Sequence, residues 1–118
     1  MVWNREYEEK NAIIKSTHLG TEDHGIFTFY LHLDYGGSGQ GFGGWALDSY
    51  NKDQEKRVPH KCFGLLIVNI LDVLEVNRWE DLPNTHCRVI AKHDKVKSIG
   101  HILKDKWFDA ELFFQEWR

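Results

Sequence analysis

The sequence predicts an α+β fold: an antiparallel sheet of two hairpins plus an N-terminal strand, one long core helix across one face, and a short C-terminal aromatic helix. Three observations support this. Residues 26–35 alternate apolar and polar side chains, the period of a half-buried strand. Residues 62–76 repeat apolar side chains at helical spacing. Residues 86–103 contain two strand-like runs around a polar turn.

The N-terminal strand is predicted over residues 12–19, where Ile13, Ile14 and Thr17 supply β-branched side chains. A polar turn ending at Gly25 follows. The first hairpin then covers residues 26–48. Its returning strand begins at residue 45, and its tip is the segment from 36 to 44, which holds six of the ten glycines.

Residues 49–57 are polar and are predicted to be a connection, and Pro59 suits the first turn of a helix. The core helix follows over residues 62–76. The second hairpin pairs residues 86–92 with 96–103, and the final helix covers 108–117. The apolar stripe of the core helix consists of Phe63, Leu66, Ile67, Ile70, Leu71 and Leu74.

A length of 118 residues predicts one domain, residues 1–118, with the polar residues 1–10 as a flexible arm. Cys62 and Cys87 show neither a disulfide framework nor a metal-binding spacing, so both are interpreted as reduced core thiols. The charged start does not resemble a signal peptide, and no apolar run approaches membrane-spanning length. We therefore expect a cytoplasmic protein that makes no membrane contact.

The formal net charge of -3 argues against a nucleic-acid partner. A basic strip late in the chain keeps that alternative open, although a solvated hairpin surface explains it better. The strip consists of Arg88, Lys92, Lys95, Lys97, Lys104 and Lys106.

The glycine-rich segment contains the pattern G-x-G-x-x-G from Gly39 to Gly44. A dinucleotide-binding loop of this pattern must open a helix, but here strand-like residues follow, so that interpretation fails. If the segment stays extended, alternate residues form a bare trough between two aromatic rings, open to a partner's side chains or a flat ligand. The competing explanation is that the glycines leave room for neighbouring aromatic side chains to pack over the backbone. The predicted contact surface consists of Tyr35, Gly37, Gly39, Gly41, Phe42, Gly43 and Trp45.

Aromatic residues are numerous, with five Trp, four Tyr and seven Phe. Trp107 and Trp117 flank a short predicted helix that also carries Phe113 and Phe114. A single buried stripe on such a short helix has room for fewer aromatic rings than this region contains. We therefore expect some of them to be exposed and predict Trp107 and Trp117 as a second contact surface for a protein partner.

The sequence contains only weak indications of a catalytic or metal-binding site. His32 and Asp34 share a predicted strand face, which suggests either acid–base chemistry or a simple cross-strand contact. No nucleophile motif or metal-binding spacing appears, so no cofactor is expected and a non-enzymatic role is favoured. The scattered candidates for a metal site are His18, Asp23, His24, His32, Asp34, Asp48 and His101.

Several segments together resemble a family of small uncharacterised proteins encoded by bacteriophages and prophages. The similarity spans about residues 12–116, and its most specific part is the string GGSGQGFGG at 36–44. The resemblance implies no catalytic residues. It implies a protein made inside an infected bacterium, where small acidic phage proteins often bind and block host machinery. The segments are 18–25, 31–48, 79–82 and 99–108.

The sequence thus predicts a phage-type accessory protein that acts by binding, with a host factor such as a defence system as its target. Two alternatives stay open. One is a small nucleotide- or metal-binding module, or a small hydrolase that uses His32 and Asp34. The other is a self-assembling structural component that pairs exposed strand edges.

Overall fold

The computed structural model describes residues 6–117, except for the side chain of Asp23. These residues form eight β-strands and two α-helices, with single turns of 3-10 helix at Asp23–Gly25 and Trp79–Asp81. The elements are β1 (Glu8–Thr21), β2 (Phe27–Asp34), β3 (Gly39–Ala46), β4 (Asp48–Asn51), β5 (Lys56–Pro59), α1 (Phe63–Leu74), β6 (His86–Lys92), β7 (Lys95–His101), β8 (Trp107–Asp109) and α2 (Ala110–Trp117).

Six strands form one antiparallel sheet in the order β3-β2-β1-β6-β7-β8, while β4 and β5 pair with each other in a separate hairpin. The long strand β1 joins the two halves of the sheet. Its residues Glu8 to Ile13 pair with β6, and Ile13 to Thr21 pair with β2. A β-bulge between Ile14 and Ser16 bends β1 and increases its twist.

The two edges of the sheet curl toward each other around the core. The side-chain amide of Gln40 on β3 donates hydrogen bonds to the carbonyls of Lys92 (2.7 Å) and His93 (3.1 Å). The rings of Phe42 on β3 and Phe108 on β8 contact across the interior, with centroids 6.3 Å apart. The concave face of the sheet therefore encloses the core, and the convex face points away from it.

The two helices complete the core. Helix α1 buries Leu66, Ile70 and Leu74 and ends because Glu75 adopts a left-handed conformation (φ 57°). Helix α2 is too short to be stable alone and is anchored by the buried rings of Phe113 and Phe114.

The predicted architecture is wrong. We predicted a five-stranded sheet under one long helix, whereas the described chain is dominated by a curled six-stranded sheet with an additional two-stranded hairpin. Helix α1 is also shorter at both ends than the predicted 62–76.

Pairing between distant segments explains these differences. Lys56–Pro59, predicted as a connection and a helix start, is strand β5 because it pairs with β4. Trp107–Asp109, whose last two residues were predicted as helix, pairs with Ser98 to Gly100 as β8. Most of the glycine-rich segment is itself strand β3, so the hairpin tip is only a short turn.

The predicted arm at residues 1–10 overlaps β1 from Glu8 onward. Its first five residues lie outside the described part of the chain. No helix among residues 6–117 has both the length and the apolar character needed to cross a membrane.

Candidate interaction surface

The glycine-rich segment begins as a tight turn. The Tyr35 N–H donates to the Ser38 carbonyl (2.8 Å), and the Gly36 N–H donates to Asp34 Oδ1 (2.8 Å). Gly36 and Gly37 have φ values of 92° and 148°, which side chains rarely tolerate, and nothing lies within 4 Å of their side-chain positions. Within the glycine-rich segment, Gly36 and Gly37 of this turn therefore have free space around their backbone.

The next glycines lie on the convex face. Register pairs Gly39 with Asp34, Gly41 with His32 and Gly43 with Tyr30. Phe42 alternates with them, faces the core and is fully buried.

A side chain at any of these strand glycines would collide with the protein itself. The ring of Tyr30 lies where a side chain at Gly41 would begin. At Gly39 and Gly43 the carbonyl oxygens of Leu33 and Phe29 occupy that space. The glycines therefore allow close packing, and they form no bare trough on this face.

The rings of Tyr35 and Trp45, which flank the glycines in the sequence, point to the concave face. The Tyr35 hydroxyl donates to Gln40 Oε1 (2.6 Å), and its ring packs against the core. Burial, with a smaller contribution from Cys87, raises the pKa of Tyr35 to about 12. A β-bulge opposite Phe29 turns Trp45 inward, 5.4 Å from Phe42 between ring centroids. The predicted shared face of Tyr35, Trp45 and the glycines is therefore not formed.

Three of the titratable side chains that the sequence singled out make separate contacts in the structure. Asp34 pairs with Lys15 (3.5 Å), and the ring of His32 packs on Tyr30 with centroids 4.8 Å apart. Asp48 receives a bidentate interaction from Arg57. Within residues 6–117, no three His, Cys, Asp or Glu side chains cluster in a way that could hold a metal ion.

The basic strip is neutralised by ion pairs. Each of its six members has a carboxylate partner, so it does not present a free cationic face. The pairs are Arg88–Glu9, Lys92–Glu6, Lys92–Asp94, Lys95–Glu111, Lys97–Asp109, Lys104–Glu75 and Lys106–Glu75.

The aromatic residues of the C-terminal region do come together. Trp107 and Trp117 line one groove of about 340 Å³ between α1 and α2, which we call the helix groove. Its full lining is Asn69, Val73, Trp107, Phe108, Asp109, Leu112, Phe113, Glu116 and Trp117.

Exposed apolar side chains border the helix groove. Leu112 and Trp117, both on α2 and both in the groove lining, are 61% and 51% exposed. Single exposed apolar residues are ordinary, but neighbouring ones beside a concave surface are typical of an interaction site.

Contacts on both sides of β8 hold this strand and the start of α2. The Trp107 ring lies on Gly100 in the neighbouring strand, and the Arg88 guanidinium lies 4.8 Å from the ring centroid. Asp109 precedes α2, and its Oδ1 accepts a hydrogen bond from the Leu112 N–H (3.1 Å). The helix start and the strand edge are therefore fixed relative to each other.

Sequence reasoning identified the two tryptophans and missed Leu112. The available signal was its place in the aromatic helix predicted over 108–117, directly before Phe113. Scanned against protein-family models, curated proteins and solved structures, the chain matches none of them.

Proposed function

We propose that this chain is a non-enzymatic accessory protein that binds another protein through the helix groove. The observation that carries the proposal is the exposure of Trp117 and Leu112 along one concave surface. Burying such anchors beneath a partner releases water from apolar area, and tryptophan is among the residues that most often dominate binding energy.

The phage resemblance supports a bacterial host factor, such as a component of a defence system, as the target. The acidic balance and the ion-paired basic strip both favour a protein partner over nucleic acid. The side-chain positions of the strand glycines are occupied by the protein itself, which favours the helix groove over the glycine-rich segment as the contact surface.

The test compares wild type with Trp117→Ala and Leu112→Asp as affinity baits in bacterial lysate. A captured host protein is then purified, and its Kd for each bait is measured. We expect each variant to weaken binding at least about tenfold while the Tm stays within a few degrees, because both side chains are exposed. Leu103→Asp is the matched control, since Leu103 is 85% exposed and lies outside the groove lining.

Equal binding by wild type and both groove variants contradicts the proposal. Recovery of the chain itself, confirmed by light scattering, supports self-assembly instead. A thermal-shift screen with nucleotides and divalent metals tests the small-molecule alternative, because a ligand that binds the folded state raises the Tm.

A further inference from the structure

Strand β1 pairs with a different neighbour along each half. Residues 8–13 pair with β6, whereas residues 16–21 pair with β2 and have no second strand beside them in the described range 6–117. The side of residues 16–21 that faces away from β2 is therefore a free strand edge. We call it the β1 edge.

The chain turns away from the β1 edge just before β6 begins. Ile14 still bonds on that side, to the backbone of Asn84 (2.7 Å) and Thr85 (3.0 Å). Asn84 has φ 72°, and the Thr85 N–H donates to the Leu82 carbonyl (3.0 Å), which closes a turn. Pro83 in this turn has no N–H to offer to β1. The segment before β6 therefore does not extend the pairing beyond Ile14.

The backbone of β2 shows how β1 is oriented. Phe27 directs both of its backbone groups away from β1, because its N–H donates to Asp48 (3.1 Å) and its carbonyl accepts from the Leu47 N–H (2.8 Å). Backbone groups alternate sides along a strand, so Thr28 faces β1 and forms a hydrogen-bonded pair with Gly20. The residues that alternate with Gly20 on β1 therefore face the β1 edge.

Three residues direct their N–H and carbonyl groups to the β1 edge. They are Thr17, Leu19 and Thr21. Within residues 6–117, none of these six groups forms a hydrogen bond with another part of the chain. Such a row is a template for another strand, because each unpaired group needs a partner.

The β1 edge is complementary to itself in one antiparallel register. When two copies pair with Leu19 opposite Leu19, the edge-facing groups of each copy meet those of the other and form about six hydrogen bonds. Thr17 then lies opposite Thr21 of the partner subunit, a favourable cross-strand pair. His18 lies opposite Gly20 of the partner subunit, where the absence of a side chain leaves room for the imidazole ring.

The charges at the two ends of the β1 edge favour the same arrangement. Lys15 precedes the edge residues and Glu22 follows them, and both side chains are exposed. Within the chain, Lys15 lies 3.5 Å from Asp34, and Glu22 lies 3.4 Å from His18. Ion pairs this exposed are weak and leave both side chains free to reach across an interface. Antiparallel pairing of two copies brings the basic end of each edge to the acidic end of the other.

We propose that a second copy of this chain pairs with the β1 edge, antiparallel and centred on Leu19. The contact uses the same surface on both copies, so it closes at two copies and joins their sheets into one. None of the edge residues belongs to the lining of the helix groove. The dimer and the proposed binding of a host protein are therefore separate properties.

The first experiment measures sedimentation velocity and amide hydrogen exchange of the full chain between about 1 µM and about 1 mM. We expect a monomer–dimer equilibrium. The amides of Thr17, Leu19 and Thr21 should exchange at least about tenfold more slowly in the dimer, because they gain hydrogen bonds. The amides of His18 and Gly20 should change less, since they already bond to β2.

The second experiment removes one donor from the β1 edge. Thr21→Pro deletes the N–H of an exposed residue and with it one intersubunit hydrogen bond from each copy. The Kd of the dimer should rise at least about tenfold. Thr21→Val is the matched control, because valine keeps the N–H and favours a strand, so this variant should dimerise like wild type.

The third experiment reverses charge without altering the backbone. Lys15→Glu and Glu22→Lys each place like charges at both ends of the antiparallel contact, so each variant alone should dimerise more weakly than wild type. In an equimolar mixture of the two variants, unlike charges meet at both ends. The mixture should therefore dimerise at least about fivefold more tightly than either variant alone.

A chain that stays monomeric up to about 1 mM overturns the inference. Equal Kd values for Thr21→Pro and Thr21→Val, or a mixture that dimerises no better than its components, also overturn it. A dimer that is lost in Trp117→Ala but kept in Thr21→Pro places self-association at the helix groove instead. If Thr21→Pro does not fold, the amide exchange and the charge variants still decide.

Discussion

The ring of Tyr30 on β2 lies across strand β3 in the space where a side chain at Gly41 would begin. The two residues are diagonal neighbours on the convex face, because Gly41 pairs with His32 and Tyr30 pairs with Gly43. An aromatic ring that covers a cross-strand glycine protects the exposed backbone and adds packing to the sheet.

Gly41→Val is expected to lower the free energy of unfolding by about 1–3 kcal/mol, because the new side chain displaces the Tyr30 ring. Urea unfolding measures the change. The double variant Tyr30→Ala/Gly41→Val should lose less than the sum of the two single variants, since the clash is then absent. An unchanged Tm in Gly41→Val would revive the interpretation of Gly41 as an open contact site.

Gly64→Ala is expected to stabilise the protein by up to about 1 kcal/mol. Gly64 lies in the first turn of α1, nothing is within 4 Å of its side-chain position, and alanine restricts the unfolded chain. Gly43→Ala is the contrasting variant and should be destabilising, because Gly43 has φ 137° and the Phe29 carbonyl occupies the side-chain space. Thermal unfolding of both variants checks the prediction, and a loss of stability in Gly64→Ala contradicts it.

Asp48→Asn is expected to destabilise the protein by about 2–3 kcal/mol near neutral pH. The buried Asp48 carboxylate accepts hydrogen bonds from Arg57 (2.8 and 3.0 Å) and from the Phe27 N–H (3.1 Å), which joins the β4–β5 hairpin to the start of β2. Arg57→Lys is the companion variant, since lysine keeps the charge but loses the bidentate geometry.

The stability that Asp48 contributes should depend on pH. The hydrogen bond from Arg57 lowers the pKa of Asp48 in the folded state, opposed in part by burial. A lowered folded pKa gives stability that is fully present above the unfolded pKa of about 3.9 and is lost as the pH falls through the folded pKa. The difference between wild type and Asp48→Asn in urea unfolding should therefore be larger at pH 6 than at pH 2. An equal difference at both pH values contradicts this.

Cys87 is expected to resist alkylation in the folded protein. Burial raises its pKa from the ordinary value of 9.0 to about 12, so its thiolate fraction at pH 8 falls by roughly a thousandfold. Iodoacetamide labelling followed by peptide mass spectrometry, with and without urea, measures this. Rapid labelling of Cys87 without denaturant would show that it is accessible and ionised in the native state.

The sequence by itself determined the elements that depend on neighbours along the chain. In residues 27–34 apolar side chains alternate with polar ones, and in α1 they recur at helical spacing through Leu66 and Ile70. Each pattern depends only on neighbouring residues, because it places the apolar side chains of one element on the face that packs against the core. The same reasoning predicted some exposure among the C-terminal aromatics, and Trp117 is half exposed.

Only the tertiary structure decided how these elements meet. Strand β8 exists because it pairs with β7, and the bulge beside Gly44 turns Trp45 from the predicted contact face into the core. The helix groove likewise depends on where α2 lies relative to α1, because residues of both helices, among them Trp117 and Val73, line it. Strand pairing, bulges and helix docking are set by packing between residues far apart in sequence, and a local period does not encode those contacts.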